Sequence, residues 1–134
     1  MILIDTNIFL EAALGQERSE ECQALLTAVA RGKVEATVTH FTIHEVAAVL
    51  AQGERLLDFF RAIEGSEGMS VYDSSITDEM AISILSEKIR RDFDDTLQYF
   101  AAEKIGAMGI ASFDKHFDGL DIPRLEPSEI LAKI

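Results

Sequence analysis

The sequence predicts an α/β protein, a three-layer α/β/α sandwich around a central parallel sheet. Short apolar runs, too brief to be helices, alternate with segments of helical period along the chain. The first run, Met1–Ile4, carries no polar residue, which suits a strand buried on both faces of a parallel sheet. No repeat or Pro/Ser-rich linker breaks the pattern, so residues 1–134 read as one domain.

Met1–Ile4 is the first strand, ending at Asp5. Asp5-Thr6-Asn7 opens a short helical segment, Ile8–Leu14, that Gly15 closes. Residues 19–31 place Cys22, Leu25, Leu26 and Val29 at helical spacing, ahead of Gly32. Val34–Thr39 alternates and is rich in β-formers, a second strand. Ile43, Val46, Ala47 and Leu50 recur at i, i+3, i+4, i+7 and mark a helix ending near Gly53. Arg55–Ile63 is a further helix, with Gly65 and Gly68 at its exit, and Met69–Tyr72 is a brief strand. Ile76–Ile89 is amphipathic through Met80, Ile84 and Leu85, and Phe93–Ile105 through Leu97, Phe100 and Ala101. Phe and Met at such spacing are expected to face the core. Met108–Ser112 is the fourth strand, followed by an acidic loop, Phe113–Asp121. Ile122–Leu125 is an edge strand, and Pro127 suits the first turn of a closing helix.

Composition narrows the function classes. The chain carries 24 Asp+Glu against 12 Lys+Arg, a formal net charge of −12, which argues against a broad basic face wrapping a nucleic acid. At 48% hydrophobic it is globular and not an acidic disordered tail. No apolar run approaches the roughly 18 residues of a membrane span, and the start lacks the basic region of a signal peptide. A single cysteine, Cys22, excludes an internal disulfide and a Cys-based zinc site and fits a reducing, cytoplasmic setting. Its apolar helical face makes it a core residue and not a nucleophile. His40 and His44 stand i, i+4, but no third zinc ligand is evident. Neither a Gly-rich phosphate loop nor a G-x-S-x-G elbow occurs.

The acids are more informative. Ligands of an open parallel sheet bind beyond the carboxyl ends of its strands. Asp5 ends the first strand, and Glu45 lies early in the helix after the second. Asp95, with Asp92 and Asp94, opens a later helix, and Asp114 follows the fourth strand, with Asp118 in the same loop. All would fall on one rim, where like charges repel unless a cation intervenes. Mg²⁺ or Mn²⁺ suits carboxylate and water oxygens and serves phosphodiester hydrolysis. Each position also has a plainer use. Asp5 can cap a helix, and Thr42–Glu45 fits a capping box. Asp92, Asp94 and Asp95 complement a helix dipole, and Asp114 and Asp118 suit Asx-turns.

Four motifs carry a family resemblance. Met1–Asn7, an apolar strand running into Asp-Thr-Asn, resembles the opening of the PIN-domain nucleases, and His44-Glu45-Val46 resembles that family's helical Glu. Asp92–Tyr99 is similar to its Asp-rich segment, whose metal-site acid precedes a small residue and Leu, here Asp95. Ala111–Asp118 is similar to its closing segment, which maps to Ser112 and Asp114, with Ser where Thr is commoner. The resemblance covers essentially the whole chain. It implies a PIN-like α/β/α domain whose Asp5, Glu45, Asp95 and Asp114 form a catalytic Mg²⁺ or Mn²⁺ site, oriented by Asn7 and Ser112. Asp94, beside Asp95, leaves that assignment open by one residue, as Asp118 does for Asp114. RNA as substrate, a VapC-type toxin role, an antitoxin partner and a homodimer are implied by the resemblance alone. Lys88, Arg90, Arg91, Lys104 and Lys115 form either a local basic approach for RNA or a solvated helix end. Two rivals stand beside this reading. One is a non-catalytic PIN-fold module acting through a partner protein. The other is a phosphatase or receiver-like phosphoacceptor, which wants an acid pair at the first strand. Ile4 and Thr6 flank Asp5, so that pair is absent.

Overall fold

Five strands, β1 (Ile2–Ile4), β2 (Ala36–Thr39), β3 (Met69–Tyr72), β4 (Ile110–Ala111) and β5 (Arg124–Leu125), join in the order β3-β2-β1-β4-β5. Every pairing is parallel. The computed structural model describes residues 1–51 and 53–134. Seven α-helices flank the sheet among them: α1 (Thr6–Leu14), α2 (Ser19–Ala30), α3 (His40–Leu50), α4 (Glu54–Gly65), α5 (Ile76–Ile89), α6 (Phe93–Lys104) and α7 (Pro127–Leu131). The chain winds one way from β1 through β2 to β3, then returns to build β4 and β5 on the other side. The switch point of this doubly wound sheet lies between β1 and β4.

The alternation of a strand explains the layers. Ile2 and Ile4 point into a core shared with Leu25, Val29, Val38, Ile43 and Val46. Leu3 points the opposite way, into a second core with Tyr99, Ala102, Ile110 and Phe117. A strand with an apolar core on each face has no room for a polar side chain, which is why β1 reads as an unbroken apolar run.

Element boundaries follow local chemistry. Gly15 ends α1 in the left-handed conformation, φ 62°, as the sequence suggested. Helix α3 starts at His40, three residues earlier than the periodicity indicated, because Thr39 caps it by accepting the Thr42 N–H at 3.0 Å. That overturns the Thr42–Glu45 capping-box reading: Thr42 lies inside the helix, and Glu45 lies beyond its first turn. Capping boxes instead open α5, through Ser75 and Asp78, and α7, through Glu126 and Glu129.

The expectation that Phe and Met at helical spacing face the core holds only in part. Phe9 and Phe117 are buried, but Met80 and Ile84 on α5 are 65% and 63% exposed, and Met108, Phe60 and Phe93 are exposed too. Helix α5 turns a different residue, Ile82, into the protein. Its apolar residues lie on more than one face, so period alone misassigns the buried one. Helix α4 buries no residue completely; Phe59 meets Phe9 edge-to-face at 5.8 Å across a largely apolar groove of about 550 Å³ between α1, α2 and α4. Cys22 is fully buried, and its burial pushes the thiol up to about 12, so it is core and not nucleophile. No helix among the described residues is long and apolar enough to cross a membrane.

Gly68 marks a close approach ahead of β3. A Cβ there would strike the carbonyl oxygens of Val34 and Val29, both backbone atoms that cannot step aside. Gly68→Ala is therefore expected to destabilise the protein by about 1–3 kcal/mol, measured by urea unfolding.

Candidate active site

Leu3 pairs with Ile110 and Ile4 with Ala111, so β1 and β4 end in step at the switch point. The Asp5 N–H donates to the Ala111 carbonyl at 3.0 Å, which brings Asp5 beside Ser112. Asp5 sits at the N-terminus of α1 yet makes no capping bond. Its carboxylate turns to other partners. Ser112 Oγ donates to Oδ2 at 2.7 Å, Asn7 Nδ2 donates to Oδ2 at 3.1 Å, and Gln98 Nε2 donates to Oδ1 at 3.0 Å. Asn7 Nδ2 also donates to Ser112 Oγ at 3.1 Å, and Ser112 Oγ accepts the Asp114 N–H at 2.9 Å. Asn7 and Ser112 thus stand where the sequence put them, holding Asp5.

Glu45, from α3, reaches the same place. Thr6 Oγ1 donates to its Oε1 at 2.7 Å and lies 2.9 Å from Thr42 Oγ1. Asp5, Glu45, Asp94, Asp95 and Asp114 surround one cavity of about 190 Å³, together with Thr6, Asn7, Leu10 and Gln98. The four acids singled out in the sequence therefore converge, and Asp94 joins them. Asp92 stands at the exposed position just before α6, makes no side-chain capping bond and does not line the cavity. Asp118 turns away and accepts from Arg124 Nε at 2.8 Å.

Larger apolar space exists beside α4, but the carboxylates gather in this smaller cavity. No Lys or Arg lines it among the described residues. Three of its carboxyl groups, Asp5, Glu45 and Asp95, hold protons more tightly than usual, burial being the main cause. Burial raises Asp5, against the hydrogen bonds of Gln98, Ser112 and the Thr6 backbone, and the Asp114 charge adds to the rise. Burial also raises Glu45, aided by the charges of Asp94 and Asp5. Asp95 is pushed up to about 6 by burial first, then by Asp114 and Asp94, with His116 opposing.

His116 is a residue the sequence reading passed over. Its Nδ1 stands 3.2 Å from Asp95 Oδ2 and 3.4 Å from Asp114 Oδ1, and the three donors form a group compact enough for one metal ion. Asp92, Asp94 and Asp95 form a second such group. Hard carboxylate oxygens predominate in both, and these donors fit Mg²⁺ or Mn²⁺. His40 and His44 stack at 5.0 Å between centroids on α3, and neither belongs to a ligand group among the described residues. Thr6, Thr39, Thr42 and Gln98 were also missed, since neutral polar residues within helices and strands carry no signal of their own.

The basic approach is altered by one contact set. Arg91 donates to the carbonyls of Ile89 (2.8 Å), His116 (2.7 Å) and Asp118 (3.1 Å). It binds the α5–α6 turn to the loop after β4 and does not stand free as a phosphate contact.

Fold and site together define a doubly wound parallel α/β protein with a carboxylate-lined cavity at its switch point. Residues 1–116 match the PIN domain, and the chain belongs to the PIN-domain family. Among solved structures it is similar to VapC20 of Mycobacterium tuberculosis, a sarcin–ricin loop cleaving toxin. That likeness has 19% identity and a TM-score of 0.74 over 95% of this chain and 100% of the other. It is also similar to a chain of a toxin–antitoxin complex from Klebsiella pneumoniae, with 16% identity and a TM-score of 0.75 over 95% and 98%. Among curated proteins, none matches.

Asp95 makes the crowding measurable. A carboxyl raised from 3.8 to about 6 keeps its proton longer when folded, so the folded state binds more protons in that window and loses stability as pH rises through it. Asp95→Asn is expected to stabilise the metal-free protein at pH 7 by about 1–2 kcal/mol, allowing for screening at a partly open site. At pH 4 the gain should be nearly absent, with urea unfolding at the two pH values as the check.

Proposed function

We propose that this chain is a Mg²⁺- or Mn²⁺-dependent endoribonuclease that hydrolyses RNA phosphodiester bonds. The observation that carries the reading is the convergence of five carboxylates from four parts of the fold on one cavity without a lining Lys or Arg. Such a cluster is costly to fold unless a cation shares it.

Asp5 would hold the ion directly and Asp95 directly or through water, with Glu45 and Asp114 completing the acidic shell through waters. When bound, the ion polarises a phosphoryl oxygen, lowers the pKa of water and stabilises the leaving oxygen. The chain's own groups do the rest. Asn7 and Ser112 hold the Asp5 carboxylate in one orientation, and the Thr6 hydroxyl fixes Glu45. Glu45 or Asp114 accepts the proton of the attacking water. Burial and neighbouring charge raise the proton affinity of Glu45, which favours that role.

Family membership and the likeness to two toxin structures support RNA as substrate and a toxin role with an antitoxin protein as partner; a cytoplasmic location and a homodimer complete the proposal. The rival is a non-catalytic module acting through a partner, for which the apolar groove beside α4 offers a surface. One assay separates the two. Purified protein incubated with mixed RNAs is expected to cleave only when Mn²⁺ or Mg²⁺ is present. Asp5→Asn should lower the rate at least about 100-fold while leaving the thermal transition in place. Metal-dependent cleavage undiminished in Asp5→Asn would refute the site, and no cleavage by the wild type would favour the module.

A further inference from the structure

Gln98 is 2% exposed, on α6 between Leu97 and Tyr99, and three residues beyond Asp95. A buried amide is a poor core residue unless its donors and acceptor are all met. Here they are met by groups that lead to two of the site acids. The Thr39 hydroxyl donates to Gln98 Oε1 at 2.8 Å, while Thr39 Oγ1 accepts the Thr42 N–H. Gln98 Nε2 donates to Asp5 Oδ1 at 3.0 Å and to Thr42 Oγ1 at 2.8 Å. Thr6 gives its proton to Glu45 Oε1, so in the Thr6–Thr42 contact Thr42 is the donor. The direction of each bond is then fixed. Thr39 feeds Gln98, and Gln98 feeds Asp5 on one side and Thr42, Thr6 and Glu45 on the other. The opposite amide orientation would set Oε1 against the Asp5 carboxylate.

We propose that Gln98 is a positioning residue that joins Asp5 and Glu45 into one hydrogen-bonded unit, so that the cation meets both carboxylates in a fixed relation. The inference rests on the metal-site reading above. A residue that merely filled the core would not need this directed chain, because from Gln98 the chain runs through two threonines, Thr42 and Thr6, to an acid that Gln98 does not touch.

The test reads Mn²⁺ binding by electron paramagnetic resonance, beside thermal melting and RNA cleavage at saturating Mn²⁺. Gln98→Met, similar in length and without polar hydrogens, is expected to fold and to bind Mn²⁺ about 10–100-fold more weakly. Combined with Thr6→Val, it should lose no more kcat than the more severe single variant, because the two act through one chain. Should Gln98→Met not fold, Thr39 carries the test on the same readout: Thr39→Ser should keep the wild-type Mn²⁺ affinity and Thr39→Val should lower it. Superimposable Mn²⁺ isotherms for wild type and Gln98→Met, or losses of kcat that multiply, overturn the role of Gln98 alone. Equal Mn²⁺ affinity in Thr39→Ser and Thr39→Val does the same. A wild type that binds no Mn²⁺ overturns the metal reading and this inference with it.

Discussion

A carboxylate buried at the end of a buried strand dictates much of what surrounds it. Asp5 is 8% exposed, and an ionised group so placed needs donors to replace the water it has lost. Those donors come from separate elements: Asn7 from α1, Ser112 from the end of β4 and Gln98 from α6. Each can reach Asp5 only if β1 and β4 end in step and α6 crosses the sheet at the right height. The register of the sheet and the solvation of one acid are thus a single requirement.

The two sides of the cavity meet that requirement differently. Around Asp5 and Glu45, neutral donors such as Thr6, Ser112 and Gln98 bind carboxylate oxygens directly. Around Asp95 and Asp114 the protein supplies a more exposed imidazole, His116, and leaves the acids partly open to solvent. The first arrangement fixes geometry, and the second leaves charge uncompensated. A site that grips a cation needs both, since rigidity alone gives no attraction and attraction alone gives no defined position.

Much of this was visible in the sequence because the physics behind it is local. An unbroken apolar run can only be a strand with two cores, so β1, and with it the place of Asp5, followed from five residues. A parallel sheet puts strand ends on one rim, and that rule narrowed the 24 acids to Asp5, Glu45, the Asp92–Asp95 group and the Asp114–Asp118 loop, from which the family resemblance took Asp95 and Asp114. The start of α3 did not follow, because Thr39 caps it from inside a β-rich stretch and Thr42 resembled a cap more closely. Gln98 and the threonines stayed hidden because a neutral hydrogen bonder is defined by its partners, and these lie far away in sequence. His116 sat in a loop that periodicity does not address. On α5 the apolar positions were right only for Leu85, which packs on the second core on the side of Ile82, while Met80 and Ile84 look outward.

Arg91 ties the mobility of the site to its connectivity. Its guanidinium binds carbonyls at the end of α5, within the short 3-10 turn, Lys115–Phe117, that follows Asp114, and just after that turn. Phe117 in that turn is anchored in the second core with Tyr99 of α6. The loop bearing Asp114 and His116 therefore cannot lift away alone. Its local unfolding also requires fraying the last turn of α5 and uncovering the flank of α6, so these segments form one cooperative opening unit. Backbone amides in the loop and at the end of α5 are then expected to exchange with solvent through a shared event.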